Sequence, residues 1–131
     1  MALLKAEPEL STSVGPDRTT LLMRVSEAGH LQMVEFCLKH GADANEGAPD
    51  GFLPLHMASR VGNVEVMNLL LNAGADPTTQ TAMGWSSLMM AVQHGFTDAA
   101  RLLISKGAKT SETMPFGTTV REYAQQARMK L

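Results

Sequence analysis

Histidine and cysteine are the side chains of this sequence best suited to metal binding or nucleophilic chemistry, but their arrangement favours neither. The histidines lie in different segments or at opposite ends of one predicted helix, whereas a metal site needs several ligands at one point. The cysteine falls among apolar residues at helical spacing, and no activating base is evident, so we expect a buried, unreactive thiol. The residues concerned are His30, His40, His56, His94 and Cys37.

A glycine-containing segment, residues 41–47, is the nearest approach to a phosphate-binding loop. It lacks the lysine and the glycine spacing that such a loop needs. The sequence therefore predicts no catalytic residue, no metal site and no cofactor, and an enzyme is not expected.

Composition narrows the class of protein further. The formal net charge of −2 over 131 residues offers no general basic face for nucleic acid. The one cysteine excludes an internal disulfide and fits a reducing compartment. No apolar run approaches the roughly 20 residues of a membrane span, and the N-terminus lacks the apolar run of a secretion signal. We therefore expect a cytoplasmic or nuclear protein that binds neither nucleic acid nor membrane.

Glycine recurs in this chain with a period of 33 residues, in three parallel series. A repeat of this length indicates stacked supersecondary units, each unable to bury its apolar face alone. The period divides the chain into a flexible leader, 1–17, and a repeat domain, 18–131. That domain holds full repeats at 18–50, 51–83 and 84–116 and a capping half-repeat at 117–131. The series are Gly29, Gly62, Gly95; Gly41, Gly74, Gly107; and Gly51, Gly84, Gly117.

Each full repeat is predicted to contain two short helices followed by a turn-rich crossing segment. The first helices cover 21–28, 54–61 and 87–94, and the second cover 31–40, 64–73 and 97–106. Thr20 and Ser86 are hydroxyl N-caps, whereas Leu53 leaves the middle cap missing and Pro54 compensates in part. In the half-repeat, Arg128 stands at the position of Gly29, Gly62 and Gly95, where a glycine would end the helix. We therefore expect the helix of the half-repeat to run on towards Leu131.

This pattern resembles the ankyrin repeat family over residues 18–131. The resemblance implies an all-α repeat solenoid of helix pairs with protruding hairpin fingers, whose concave face binds proteins. It also implies structural roles for His30 and His56, the latter tying neighbouring turns. Repeats one and three have Met23 and Met89 in place of that histidine. The motifs that carry the resemblance are Pro54-Leu55-His56, Ala58, Gly62, Leu69-Leu70-Leu71, Gly74-Ala75-Asp76, Gly29-His30-Leu31, Val34, Gly41-Ala42-Asp43-Ala44-Asn45, Leu88, Ala91, Gly95, Leu102-Leu103 and Gly107-Ala108.

The candidate partner-binding surface follows from side chains beside the third glycine series and on the first helices. Bulky apolar residues there, where a simple monomer would carry polar ones, indicate a docking surface. In the alternative interpretation the aromatic residues fold back onto the neighbouring finger, and both can hold at once. The predicted surface consists of Phe52, Arg60, Val61, Met83, Trp85, Gln93, His94 and Phe116.

The function these features favour is non-catalytic recognition of another protein. Two alternatives stay open: a regulator or inhibitor of an enzyme such as a protein kinase, and a regulatory fragment of a longer protein. A monomer is expected, although the apolar surface leaves self-association open.

Overall fold

The computed structural model describes residues 20–131; the predicted leader, 1–17, lies outside them. Within this range the chain forms an all-α stack of seven helices, and no strand is present apart from isolated bridges in the fingers. In chain order the helices are α1 Leu21–Ala28, α2 Leu31–Lys39, α3 Pro54–Val61, α4 Val64–Asn72, α5 Ser87–Gln93, α6 Thr97–Ser105 and α7 Val120–Gln126. Six of them lie within one residue of the predicted bounds.

The first helix of each repeat begins at a local cap. The hydroxyl oxygens of Thr20, Ser86 and Thr119 each accept the N–H three residues on, at 3.1, 3.2 and 3.1 Å. Repeat two has Leu53 at this position, and there the ring of His56 takes over, since its Nδ1 accepts the Leu53 N–H at 2.9 Å. The side-chain cap that Leu53 cannot provide is thus replaced by a hydrogen bond from the histidine ring. This bond pairs the backbone N–H of the cap residue rather than the N–H three residues on.

Glycines of the first repeated series terminate or directly follow the first helices in the left-handed conformation. Gly29, Gly62 and Gly95 have φ of 75°, 72° and 79°, a region that costs other residues about 1–2 kcal/mol. The predicted extension of the last helix towards Leu131 is wrong, because α7 ends at Gln126. Arg128 itself adopts φ 59°, and Met129 N–H bonds back to Ala124 O at 2.8 Å. The arginine therefore closes the helix where the other repeats use glycine.

The helices form two layers. The first helices α1, α3, α5 and α7 pack side by side as an inner layer, and α2, α4 and α6 form an outer layer against them. Between the layers lies an aliphatic core in which Leu22, Leu55 and Leu88 occupy one repeated position and are at most 1% exposed. Met23, His56 and Met89 occupy the next repeated position and are equally buried. Met67 is fully buried, whereas Met33 is only partly covered.

Three hairpin fingers connect the repeats, at 41–53, 74–86 and 107–119. Each closes through two backbone hydrogen bonds of 2.8–2.9 Å. The first runs from Ala48 N–H to Phe52 O, Thr81 N–H to Trp85 O or Met114 N–H to Thr118 O, and the second from the N–H of Gly51, Gly84 or Gly117 back to the carbonyl of Ala48, Thr81 or Met114. The helices are short: within 20–131 none has the length and apolarity needed to cross a bilayer.

Hydrogen bonds join the first two fingers but not the second and third. Asn45 donates through Nδ2 to Gly74 O at 2.8 Å and accepts Asp76 N–H through Oδ1 at 2.9 Å. Ala82 N–H donates to Asp50 O at 2.8 Å. One repeat later the residue equivalent to Ala82 is Pro115, which has no N–H. Thr78, equivalent to Asn45, bonds Asp76 within its own finger. Across residues 20–131 no hydrogen bond links fingers two and three.

Candidate functional site

A cavity of about 270 Å³ opens beside the inner-layer helices α3 and α5. Its walls come from the ends of fingers one and two and from the last turns of the two helices. Five of the eight residues predicted from the sequence line it together, with one methionine that was not predicted. We call this cavity the aromatic groove; its lining is Phe52, Arg60, Trp85, Met90, Gln93 and His94.

The two aromatic walls of the groove are fixed by finger hydrogen bonds. Phe52 N–H donates to the Asp50 carboxylate at 3.2 Å, and Trp85 N–H donates to the Thr81 hydroxyl at 3.2 Å. Each ring also has an aromatic neighbour. Phe52 meets His56 edge-on with centroids 5.8 Å apart. These rings are therefore positioned before any partner arrives, which lowers the entropy cost of binding.

Arg60 reaches across from α3 to the neighbouring inner helix. Its Nη2 lies 3.0 Å from Oε1 of Glu27 on α1 and 3.5 Å from the Met57 sulfur. Both charged side chains are about half exposed or less, at 37% and 50%. A solvent-exposed ion pair of this kind contributes about 0–1 kcal/mol to stability. The pair therefore orients the guanidinium but is weak enough to be exchanged for another partner.

His94 forms the groove's edge at the end of α5. Its Nδ1 donates to the Met90 carbonyl at 2.9 Å, and its ring lies parallel to Phe96 with centroids 6.5 Å apart. The imidazole therefore serves as a fixed, exposed plane rather than a swinging side chain.

Three predicted residues lie outside the groove. Val61, Met83 and Phe116 are 41%, 75% and 53% exposed and do not line it. Phe116 is connected to the groove indirectly, because its ring lies 6.2 Å from that of Trp85. Trp85 itself is partly buried against the core. Each of the two interpretations of the finger aromatics therefore fits one residue. Trp85 folds back partly onto the core, and Phe116 points outward.

Met90 and Tyr123 were missed from the sequence, yet the repeat carries a signal for both. Met57, Met90 and Tyr123 occupy one position of the 33-residue period. Met90 is 5% exposed and lies on α5 one turn before Gln93 and His94, facing the groove with them. Tyr123 contacts Phe116, with centroids 5.8 Å apart. Extending the period from the fingers to the helices would have identified both residues.

Two titratable side chains of the described residues, Cys37 and His56, are buried within the fold. No three histidine, cysteine, aspartate or glutamate side chains of residues 20–131 are grouped as a metal ion requires. Cys37 is fully buried, and burial raises the pKa of its thiol. Burial also lowers the pKa of His56, whose Nε2 donates to the Thr79 carbonyl at 3.0 Å. Both groups are held in their neutral forms inside the fold.

Comparisons with known proteins agree with the repeat architecture. A family model described as ankyrin repeats (3 copies) matches residues 2–81. A second model, ankyrin repeats (many copies), matches residues 62–104. No curated protein matches the chain significantly.

Proposed function

Because the chain belongs to the ankyrin repeat family, whose repeats are generally protein–protein interaction modules and typically non-catalytic, we propose that it binds a protein partner through the aromatic groove. The observation that carries this proposal is the convergence of Phe52, Trp85 and Met90 with Arg60 in one preformed depression. Tryptophan and arginine are enriched among residues that dominate interface energetics, and such residues cluster at the centres of interfaces.

The groove supports binding through burial of apolar surface. The faces of Phe52 and Trp85, with Met90 between the walls, are the surface from which a partner side chain would exclude water. Phe116, whose ring lies 6.2 Å from that of Trp85, extends the apolar area outward. Met83, two residues before Trp85 in the chain, is exposed as well. Contiguous apolar surface of this kind is rare on proteins that bind nothing there.

The polar groups at the rim supply orientation. Arg60 can exchange its bond to Glu27 for a partner carboxylate at little cost, since the existing pair is solvent-exposed. Gln93 and His94 are exposed at the opposite rim and offer an amide and an imidazole for hydrogen bonds. Val61 lies outside the groove and contributes to the surrounding surface only.

The proposal is tested by affinity capture from cytoplasmic and nuclear fractions of the source cells, the compartments the sequence favours. Wild type, Trp85→Ala, Phe52→Ala and the control Phe36→Ala are compared by quantitative mass spectrometry. Phe36 is a partly buried aromatic residue of the outer helix α2, so the control loses a ring without touching the groove.

We expect a set of proteins retained by wild type and Phe36→Ala and lost by Trp85→Ala. For an isolated partner, Trp85→Ala should cost about 2 kcal/mol or more, close to a thirtyfold loss of affinity. Partners retained equally by folded Trp85→Ala and Phe52→Ala proteins would refute the groove as the binding site. If a captured partner is an enzyme, its activity with and without this protein distinguishes a regulator from a scaffold.

A further inference from the structure

A second, larger cavity of about 490 Å³ lies at the C-terminal end of the stack, bounded by α5, α6, α7 and the residues after α7. Three cationic side chains line it: Arg101 on α6, and Arg128 and Lys130 beyond α7. Among the residues that the structure describes, no carboxylate side chain lines it, although Asp98 and Glu122 lie on two of the same helices. We call this cavity the basic groove.

Within the part of the chain that the structure describes, the cations of the basic groove form no ion pair. The ion pair found there joins Arg60 to Glu27, outside this groove. Arg101 uses its Nε to donate to the Lys130 carbonyl at 2.6 Å, which holds the segment after α7 against α6. The rest of its guanidinium is left for a ligand. Three positive charges therefore converge on one depression of a chain whose formal net charge is −2.

The basic groove is continuous with the aromatic groove. Gln93 lines both cavities. A row of aromatic rings also runs from one to the other, from Trp85 to Phe116 at 6.2 Å and from Phe116 to Tyr123 at 5.8 Å. Tyr123 lines the basic groove and directs its hydroxyl to the Gln93 carbonyl at 3.4 Å. Aromatic side chains therefore lie between the two grooves.

From this continuity we infer that the partner is a protein segment with a bulky apolar residue in the aromatic groove and acidic side chains in the basic groove. The inference rests on the proposed function, because it names the chemistry of the partner that function requires. Charge complementarity supports an acidic segment: Arg101, Arg128 and Lys130 would attract it and fix its direction along the stack. A protein segment is favoured over nucleic acid because Phe52, Trp85 and Met90 line the aromatic groove and the chain as a whole is acidic.

The test begins with selection of random linear peptides displayed on phage against the whole chain. We expect the enriched peptides to contain an aromatic or large aliphatic residue with aspartate or glutamate to one side of it. A synthetic peptide from that pool and its Asp→Asn, Glu→Gln version are then titrated by fluorescence anisotropy at low and high salt. A labelled single-stranded oligonucleotide is titrated in parallel.

Three variants separate the contributions of the two grooves. Arg128→Gly with Lys130→Gln removes two cations, and glycine suits the left-handed backbone at 128, so folding is preserved. Lys106→Gln with Lys109→Gln makes the same change of net charge at exposed residues that do not line the basic groove. Trp85→Ala removes the apolar anchor.

The first charge variant should bind the acidic peptide about three- to tenfold more weakly at low salt, with a smaller difference at high salt. The neutral peptide should not distinguish it from wild type, and the Lys106/Lys109 variant should match wild type. Trp85→Ala should weaken both peptides.

Distinct outcomes would overturn the two claims. Selected peptides that depend on Trp85 but lack acidic residues would refute the acidic partner and leave the proposed function intact. Acidic peptides indifferent to Trp85 would refute both the continuity of the grooves and the aromatic anchor. Oligonucleotide binding that the Arg128/Lys130 variant loses, without selection of acidic peptides, would assign the basic groove to nucleic acid instead.

Discussion

His56 and Thr79 join the second inner helix, α3, to finger two of the same repeat. The hydrogen bond of 3.0 Å runs from the imidazole Nε2 of His56 to the carbonyl oxygen of Thr79. The same ring accepts the Leu53 N–H through Nδ1 at 2.9 Å. Together these bonds require a neutral ring with its proton on Nε2, because a protonated Nδ1 cannot accept. The ring is 1% exposed, and burial lowers its pKa below the ordinary 6.5.

Stability should therefore fall as the pH is lowered. Above about pH 7 the ring is neutral in both the folded and the unfolded chain, and its contribution is fully present. Below the unfolded pKa of about 6.5 the unfolded chain binds a proton that the folded chain excludes, so the free energy of unfolding decreases. This decrease continues until the lowered folded pKa is passed. Urea unfolding at pH 7.5 and 5.5 should show the lower midpoint at pH 5.5.

His56→Gln identifies the source of this pH dependence. The variant should be less stable at every pH, by about 1–3 kcal/mol, because buried bonds are lost, but its midpoint should vary less between pH 7.5 and 5.5. His30→Gln, at an exposed histidine, should keep the wild-type slope. An unaltered slope in His56→Gln would assign the pH dependence to other groups.

Gly62 and Gly95 occupy the same repeated position with different surroundings, so their alanine variants separate backbone strain from crowding. Both have positive φ, which costs alanine about 1–2 kcal/mol. A Cβ at Gly62 would also lie 2.5 Å from ring carbons of Phe96, whereas at Gly95 it would meet nothing within 4 Å. Gly62→Ala should therefore lose about 1 kcal/mol more than Gly95→Ala. Equal losses in chemical denaturation would show that Phe96 moves aside freely.

Arg128 provides a complementary test of the left-handed closure of α7. Arg128→Gly and Arg128→Ala both remove the charge, but only glycine accepts φ 59° without a Cβ penalty. We expect the glycine variant to be more stable than the alanine variant by about 1 kcal/mol. Thermal unfolding followed by circular dichroism measures the difference. Identical melting curves would mean that the segment after α7 adds nothing to the stability of the stack.

Ser26 and Ser59 are equivalent helix residues, both fully buried, with different hydrogen-bonding states. The Ser59 hydroxyl donates to the Leu55 carbonyl at 2.7 Å, whereas the Ser26 hydroxyl has no hydrogen-bond partner among residues 20–131. Ser26→Ala should therefore stabilise the protein by about 1 kcal/mol, because it removes an unpaired buried hydroxyl. Ser59→Ala should be close to neutral, since a hydroxyl bonded back into its own helix adds little. A destabilised Ser26→Ala would indicate an internal water bound to Ser26 in solution.

The layers and most helix bounds could be predicted from the sequence because their signals are local and repeated. Thr20 and Ser86 cap helices, and Gly29, Gly62 and Gly95 close them, through chemistry confined to a few residues. The end of α7 could not be predicted in this way. A glycine is a sufficient signal for a left-handed residue but not a necessary one, and Arg128 adopts that conformation because the surrounding contacts outweigh the cost.

The candidate site was predictable only in part. Phe52 and Trp85 follow from their position beside the repeated glycines. Met90 is found only when the 33-residue period is extended to the helices, because a buried methionine on a helix is ordinarily a core residue. The bond between Arg60 and Glu27 joins residues 33 positions apart, equal to one repeat, so it becomes visible only once the helices are laid side by side. The basic groove required the fold, since Arg101 and Lys130 meet only after α7 packs.

The uneven hydrogen bonding between fingers gives the stack a gradient of stiffness. Three hydrogen bonds join fingers one and two. Within residues 20–131 no hydrogen bond joins fingers two and three, where Pro115 lacks the N–H that Ala82 uses, and the rings of Trp85 and Phe116 lie near each other instead. We expect bending to be concentrated between fingers two and three, beside Trp85 and Phe116, because fewer hydrogen bonds oppose it there. We therefore expect the angle between the aromatic and basic grooves to change more easily than the angle between fingers one and two, so that the aromatic groove could serve partners of differing curvature.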